Sequence, residues 1–141
     1  MTHVQFLHNA PNRLTAAADW LRRAWQKRMQ VLVYTPDPAT GEHFDRLLWS
    51  QPPTGFLPHC GVDSSLAAET PILLARTLDR LPHDHTLLNL SDELPPGFSR
   101  FGELVEIVST EDADRQCARD RYRFYRDRGY EIASTDISEG L

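Results

Sequence analysis

Hydrophobic positions along the chain fall into two patterns, short continuous runs and longer stretches with helical spacing. Val31–Tyr34 is a continuous apolar run, which is typical of a strand buried on both faces of a sheet. Between Leu14 and Trp25 the apolar residues recur with helical periodicity, which predicts a helix with one buried stripe. The stripe consists of Leu14, Ala17, Ala18, Leu21, Ala24 and Trp25.

Segments of these two kinds alternate along the chain. The predicted strands are His3–Leu7, Val31–Tyr34, about Thr70–Ala75, Thr86–Leu90 and Leu104–Val108, with a short edge strand at Tyr130–Ile132. The first helix begins after Asn9–Asn12, the second covers about Thr40–Trp49, and the last covers about Glu111–Arg128 and stops at Gly129. This order predicts a single three-layer α/β/α domain over residues 1–141, with a mostly parallel, Rossmann-like sheet. We expect a loose tail over about residues 134–141.

Net charge argues against a protein that grips nucleic acid directly. The chain has 15 basic and 20 acidic residues, a net charge of −5, whereas a direct binder usually has a basic excess. Only Lys27 is a lysine, so any cationic site is built from arginines, which suit carboxylates and phosphates. No apolar run is long enough to span a membrane, and Met1–Phe6 does not resemble a signal peptide. We therefore expect a cytoplasmic protein.

The motifs of common α/β enzymes are missing. No two of the seven glycines have the Gly-x-Gly spacing of a dinucleotide-binding loop, and Lys27 does not belong to a P-loop. No serine lies in a Gly-x-Ser-x-Gly motif. Cys60 and Cys117 form no zinc pattern, and His83–His85 lacks a further ligand at suitable spacing. The sequence predicts no catalytic residue, no metal site and no cofactor.

A proline-containing loop, Ser50–His59, is the first candidate interaction site. Three prolines restrain its backbone, and it carries Phe56 next to Trp49 at the end of the preceding helix. Rigid aromatics of this kind favour a protein-docking edge. The alternative, which the residues alone favour slightly, is that Trp49 and Phe56 belong to the core.

The last helix is the second candidate. At about 100° per residue, Arg115, Arg119, Tyr122 and Arg126 lie within an arc of about 60°, and the acids of the helix lie outside it. Ala113, Cys117 and Phe124 lie on the opposite side and are predicted to face the sheet. Such an arc suits an acidic peptide with an apolar or terminal-carboxylate end. A solvated face with intrahelical ion pairs is the alternative.

These two stretches also carry a family resemblance. The loop contains the motif Leu48-Trp49-x-x-Pro52-x-x-x-Phe56-Leu57-Pro58-His59. The helix runs from Glu111-Asp112 to Ala118-Arg119-Asp120-Arg121-Tyr122-Arg123-x-Tyr125-Arg126, followed by Gly129-Tyr130. Both motifs, in this order and at this chain length, resemble the chi subunits of the bacterial DNA polymerase III clamp-loader complex. The segment from about Gly61 to Leu94 matches that family only in outline.

The resemblance implies a non-catalytic adaptor of DNA replication. It implies a one-to-one complex with the psi subunit of the clamp loader and capture of the acidic C-terminal tail of single-stranded-DNA-binding protein, so that DNA is contacted only indirectly. The psi-binding residues carried over are Trp49, Pro52, Phe56, Leu57, Pro58 and His59. The tail-binding residues are Val108, Arg115, Arg119, Tyr122, Arg123, Arg126 and Gly129. Two alternatives stay open: a small nucleotide-dependent enzyme, and a direct single-stranded nucleic-acid binder that stacks bases on Tyr122 and Tyr125.

Overall fold

The computed structural model describes residues 2–50, 58–62, 64, 70–79 and 83–141. Within them the strands are β1 (His3–Ala10), β2 (Val31–Tyr34), β3 (His59–Gly61), β4 (Ile72–Ala75), β5 (Thr86–Asn89), β6 (Glu103–Ser109) and β7 (Ile132–Asp136). The helices are α1 (Arg13–Gln26), α2 (Pro38–Trp49) and α3 (Asp112–Asp127), with a short 3₁₀ turn at Phe98–Arg100. The predicted elements are confirmed, with shifts of a few residues at their ends. Strand β3 was not predicted, and His59, which was assigned to the proline-containing loop, is its first residue.

All seven strands form one parallel sheet in the order β3-β4-β2-β5-β6-β1-β7. Helices α1 and α2 pack on one face, where Leu21 and Phe44 are fully buried. Helix α3 packs on the other face, where Tyr125 is fully buried. The three-layer prediction is therefore confirmed, and the carboxyl ends of the strands share one edge of the molecule.

Helix α1 begins at the predicted cap. The Asn12 carboxamide oxygen accepts a hydrogen bond from the Thr15 N–H at 2.9 Å, which satisfies one amide that has no partner inside the helix. The predicted stripe faces the sheet, with Ala17, Ala18 and Leu21 buried. None of the described helices is long and apolar enough to cross a membrane.

The segment predicted as a loose tail is partly ordered. Strand β7 runs from Ile132 to Asp136 beside β1, so it extends beyond the predicted edge strand. Ile137, the next residue, is buried in the core on the α1 side, and its N–H donates to the His8 carbonyl at 2.8 Å. The polar composition of β7 hides it from hydrophobic pattern analysis, because an edge strand needs little burial of its own.

Candidate functional site

Helix α3 packs on the sheet with a different face from the one predicted. Its buried residues are Ala118, Arg121 and Tyr125, whereas Ala113 is exposed and Phe124 is only partly buried. The prediction that the side opposite the arginine arc faces the sheet is therefore wrong. Because hydrophobicity places an arginine at the surface, the sequence pattern favours a face that lacks Arg121.

This orientation brings the arginine arc to the flank of the helix. The arc lies about 100° around the axis from the buried face, so it looks along the sheet surface instead of straight into solvent. Between the arc and the carboxyl ends of β1, β6 and β7 lies a cleft of about 200 Å³. Its lining residues are Phe6, His8, Asn9, Val108, Ser109, Arg115, Ala118, Arg119, Tyr122 and Ser134. Two cations thus border a partly apolar cleft.

The floor of the cleft is apolar and rigid. The ring of Phe6 on β1 meets the ring of Tyr122 edge to face, with centroids 5.3 Å apart. Phe6 and Val108 are almost entirely buried, while Tyr122 remains 36% exposed. An apolar side chain of a ligand could therefore pack against Tyr122 without any rearrangement of the core.

A β-bulge shapes one wall of the cleft. The pairing of β1 with β6 shifts between Leu7 and Ala10, and Asn9 has a φ of 64°, which is uncommon for a residue other than glycine. The Asn9 side-chain amide donates to the Asp136 carboxylate at 3.0 Å. The pKa of Asp136 lies below its ordinary value, because the Ser138 N–H and the Asn9 amide donate to its carboxylate. Asp136 is therefore a fixed negative charge beside the cleft.

The predicted tail-binding residues do not all meet at the cleft. Val108, Arg115, Arg119 and Tyr122 line it, and neither Arg115 nor Arg119 has a salt bridge to a described residue. The remaining three do not line it. Arg123 pairs with Asp120, Arg126 pairs with Asp127, and Gly129 follows α3 with a φ of 82°. Among the described residues, the arginines of the arc that have no acidic partner therefore lie at its Arg115–Arg119 end.

A buried polar network fixes α3 beneath the arc, and the sequence analysis did not predict it. Glu106 on β6 is fully buried and accepts hydrogen bonds from the Arg121 Nε at 3.0 Å and the Tyr125 hydroxyl at 2.7 Å. The Asn89 side-chain amide also donates to this carboxylate, at 3.1 Å. Burial raises the pKa of Tyr125, and the negative charge of Glu106 raises it further. Burial lowers the pKa of Arg121, but Glu106 more than offsets this and the net shift is upward.

The network continues through Arg13, the first residue of α1. Its guanidinium donates to the Ile107 carbonyl at 2.8 Å and to the Ser91 carbonyl at 2.9 Å. It also lies 3.5 Å from Asp92 and 3.7 Å from Asp114 on α3. Arg13 thus links α1 to α3 across the carboxyl edge of the sheet, the edge at which the cleft lies.

The described residues of the predicted psi-binding region are Trp49, Pro58 and His59, and His59 lies on β3, at the edge of the sheet opposite β7. Trp49 ends α2 and is 56% exposed, so the alternative that it is a core residue is wrong. Its ring centroid lies 4.9 Å from that of His59, and the His59 Nε2 is 2.9 Å from an Asp45 carboxylate oxygen. Pro58 is partly buried. Pro52, Phe56 and Leu57 lie outside the described residues.

Comparison with known proteins agrees with this architecture. A solved C-terminal domain of S. cerevisiae Dbp5, bound to Gle1 and IP6, aligns with 96% of this chain and 90% of its own, with a TM-score of 0.60 at 10% identity. That likeness concerns the fold alone, and it places the chain among open α/β proteins with a parallel sheet.

Sequence relatives define the family. Residues 1–133 match the family described as DNA polymerase III chi subunit, HolC. DNA polymerase III subunit chi of Pseudomonas aeruginosa is 36% identical over 120 residues, covering 85% of this chain and 83% of that protein. Subunit chi of Escherichia coli is 28% identical over 109 residues, covering 77% and 74%. The chain belongs to the family of DNA polymerase III chi subunits, which confirms the resemblance. It is therefore an accessory subunit of a replicative polymerase and not the catalytic one.

Proposed function

We propose that this subunit is an adaptor that binds the psi subunit through one surface and the acidic tail of single-stranded-DNA-binding protein through another. In this way it would link coated single-stranded DNA to DNA polymerase III. The single observation that carries the tail half is the cleft, in which Arg115 and Arg119 lie beside the exposed ring of Tyr122 and form no salt bridge with any described residue.

The chemistry of the cleft fits such a tail. A guanidinium can hold a terminal carboxylate with two parallel hydrogen bonds, and Arg119 is exposed and without an acidic partner among the described residues. An apolar terminal side chain could pack on Tyr122 over Phe6. Acidic residues further along the tail would be attracted by Arg115 and Arg126, mainly through the rate of association.

The psi half rests on Trp49. An aromatic ring that is more than half exposed at the end of a helix, and supported from behind by His59, is a typical anchor of a protein interface. We propose that psi covers Trp49 and the neighbouring residues Pro52, Phe56, Leu57 and Pro58 in a one-to-one complex. His59 was predicted as a contact too, but its side chain is buried, so its part is to support Trp49.

Direct binding of single-stranded nucleic acid is the less favoured function. It would need aromatic platforms on which bases stack, yet Tyr125 is fully buried and hydrogen-bonded to Glu106. Of the two tyrosines proposed as platforms, only Tyr122 is accessible.

Two titrations test the proposal. In calorimetry the tail peptide should bind, a peptide lacking the terminal residue should bind more weakly, and bare single-stranded DNA should not bind. DNA that bound more tightly than the peptide would make the chain a direct binder. In the second titration, psi is added to the saturated peptide complex and should bind with unchanged affinity, giving a ternary complex. Mutual exclusion of psi and peptide would reject two separate surfaces.

A further inference from the structure

The outer edge of the sheet at β7 carries unpaired backbone groups. In the parallel pairing with β1, the Val4 N–H donates to the Glu131 carbonyl and the Ile137 N–H donates to the His8 carbonyl. Successive residues of a strand point their backbone N–H and C=O groups alternately to one side and the other. Ala133 and Thr135 therefore turn these groups toward β1. Ile132, Ser134 and Asp136 turn theirs outward, and the described part of the chain offers these groups no backbone partner.

This open edge runs beside the arginine arc. Helix α3 connects the parallel strands β6 and β7, so it runs antiparallel to them. Eleven steps along the helix from Arg115 to Arg126 cover about 16 Å. The four steps along β7 from Ile132 to Asp136 cover a comparable length, about 13 Å. The arginine arc of α3 and the outer edge of β7 therefore run side by side over a similar length.

The cleft lies between the arginine arc and the outer edge of β7. Ser134 lines the cleft with its side chain and presents its backbone N–H and carbonyl at the outer edge. A segment that reached the cleft from outside the molecule would pass along β7, within reach of the arginines. The middle of β7 is uncharged, and its acids, Glu131 and Asp136, lie at or next to its ends.

We propose that the acidic peptide bound by this subunit adds to β7 as an extra parallel strand. The proposal rests on the proposed tail-binding function and specifies how the peptide is held. Its terminal carboxylate would lie near Arg115 and Arg119, at the carboxyl end of the sheet, so the peptide runs in the direction of β7. Every other side chain then faces α3, where the apolar end meets Tyr122 and an acidic residue meets Arg126. Backbone hydrogen bonds to Ile132 and Ser134 supply sequence-independent affinity.

Amide hydrogen exchange, followed residue by residue by NMR, tests this without any mutation. The amides of Ile132 and Ser134 should exchange fast in the free protein and slow by at least about 10-fold when the tail peptide saturates the site. Those of Ala133 and Thr135, which already donate to β1, should change little. If the peptide binds while Ile132 and Ser134 keep exchanging fast, strand addition is wrong but the tail site survives. If the peptide does not bind at all, the proposed function itself fails. Protection that appears without peptide and rises with protein concentration would mean that a second copy of the chain covers the edge, which also overturns the proposal.

A matched pair of variants at Ser134 separates backbone from side chain. Ser134→Pro removes one outward N–H, and an edge position of this kind tolerates proline. Ser134→Ala keeps the amide and removes the hydroxyl. We expect Ser134→Pro to weaken peptide binding about 5- to 10-fold, in line with one lost hydrogen bond. Ser134→Ala, which loses only the side-chain hydroxyl in the cleft, should weaken it clearly less. Equal losses, or no loss in either variant at an unchanged melting temperature, would overturn the proposal. If Ser134→Pro does not fold, a tail peptide N-methylated at alternate residues gives the same comparison from the ligand side. Equal affinity for all of the methylated peptides would likewise overturn it.

Discussion

Replacing Arg119 with alanine should remove the main carboxylate contact of the cleft and leave the fold intact. Arg119 is exposed on α3, lines the cleft and has no salt bridge to a described residue. Its loss therefore exposes no buried partner, and we expect the free energy of unfolding to change by less than about 0.5 kcal/mol. A hydrogen bond between charged groups contributes about 1.5–3 kcal/mol. The affinity for the tail peptide should consequently fall roughly 10- to 150-fold.

Arg128→Ala is the matched control, since it changes net charge equally. Arg128 follows the last residue of α3, and its guanidinium lies 4.7 Å from the centre of the Phe124 ring, on the side of the helix away from the arc. We expect it to change affinity far less than Arg119→Ala when both are measured by calorimetry at one salt concentration. Raising the salt concentration should weaken binding to the parent protein as well, since the flanking arginines act over the screening length. Equal losses for the two variants would refute the pocket, because they would mean that α3 attracts the peptide only as a diffuse positive charge.

Three further predictions concern other parts of the molecule. Glu106→Gln should lower the free energy of unfolding by about 3–5 kcal/mol, since it leaves a buried arginine without its counter-ion. Tyr125→Phe should lower it by only about 1–2 kcal/mol, and similar urea midpoints for the two variants would contradict this account. Phe56→Ala should weaken psi binding by about 2–4 kcal/mol at an unchanged melting temperature; a large drop in melting temperature would make Phe56 a core residue. The pKa of His83 is lowered by burial and by the neighbouring His85. The unfolded chain therefore binds a proton at this histidine below about pH 6.5, whereas the folded protein binds it only at a lower pH. Stability should therefore fall as the pH decreases through that value, and less steeply in His83→Gln, as thermal melts at a series of pH values would show.

Apart from β3, which is only three residues long, the order of helices and strands is readable from the sequence because it rests on local patterns. Val31–Tyr34 is apolar throughout because both faces of β2 are covered, and Asn12 marks the start of α1 by a cap that depends on near neighbours only. The arginine arc is likewise a property of helical geometry. Four of the predicted tail-binding residues line the cleft. They do so because α3 connects β6 to β7 along the chain and therefore packs beside these strands.

The packing of α3 is not readable in this way, because it depends on contacts between distant residues. From the sequence pattern Arg121 is assigned to the surface like the other arginines of α3. Its burial depends on the contacts of Glu106 with Arg121 and Tyr125, and no local pattern links these residues. The bulge at Asn9 is similar, since the register shift that creates it exists only once β1 pairs with β6. A glutamate inside the otherwise apolar Leu104–Val108 run was the one available signal, because a charge in a buried strand requires a partner.

The position of β1 has a consequence for how the protein is made. Val4 is paired with Leu104 on one side and with Ile132 on the other, so both neighbours of β1 leave the ribosome long after it does. Contacts of such wide sequence separation slow folding, since a long loop must close before they form. During synthesis the nascent chain therefore holds Val4 and Phe6 without their final partners, and the cleft comes into being only when β7 has been translated. A prematurely terminated chain that ends before Ile132 would carry every arginine of α3 and still lack a wall of the cleft.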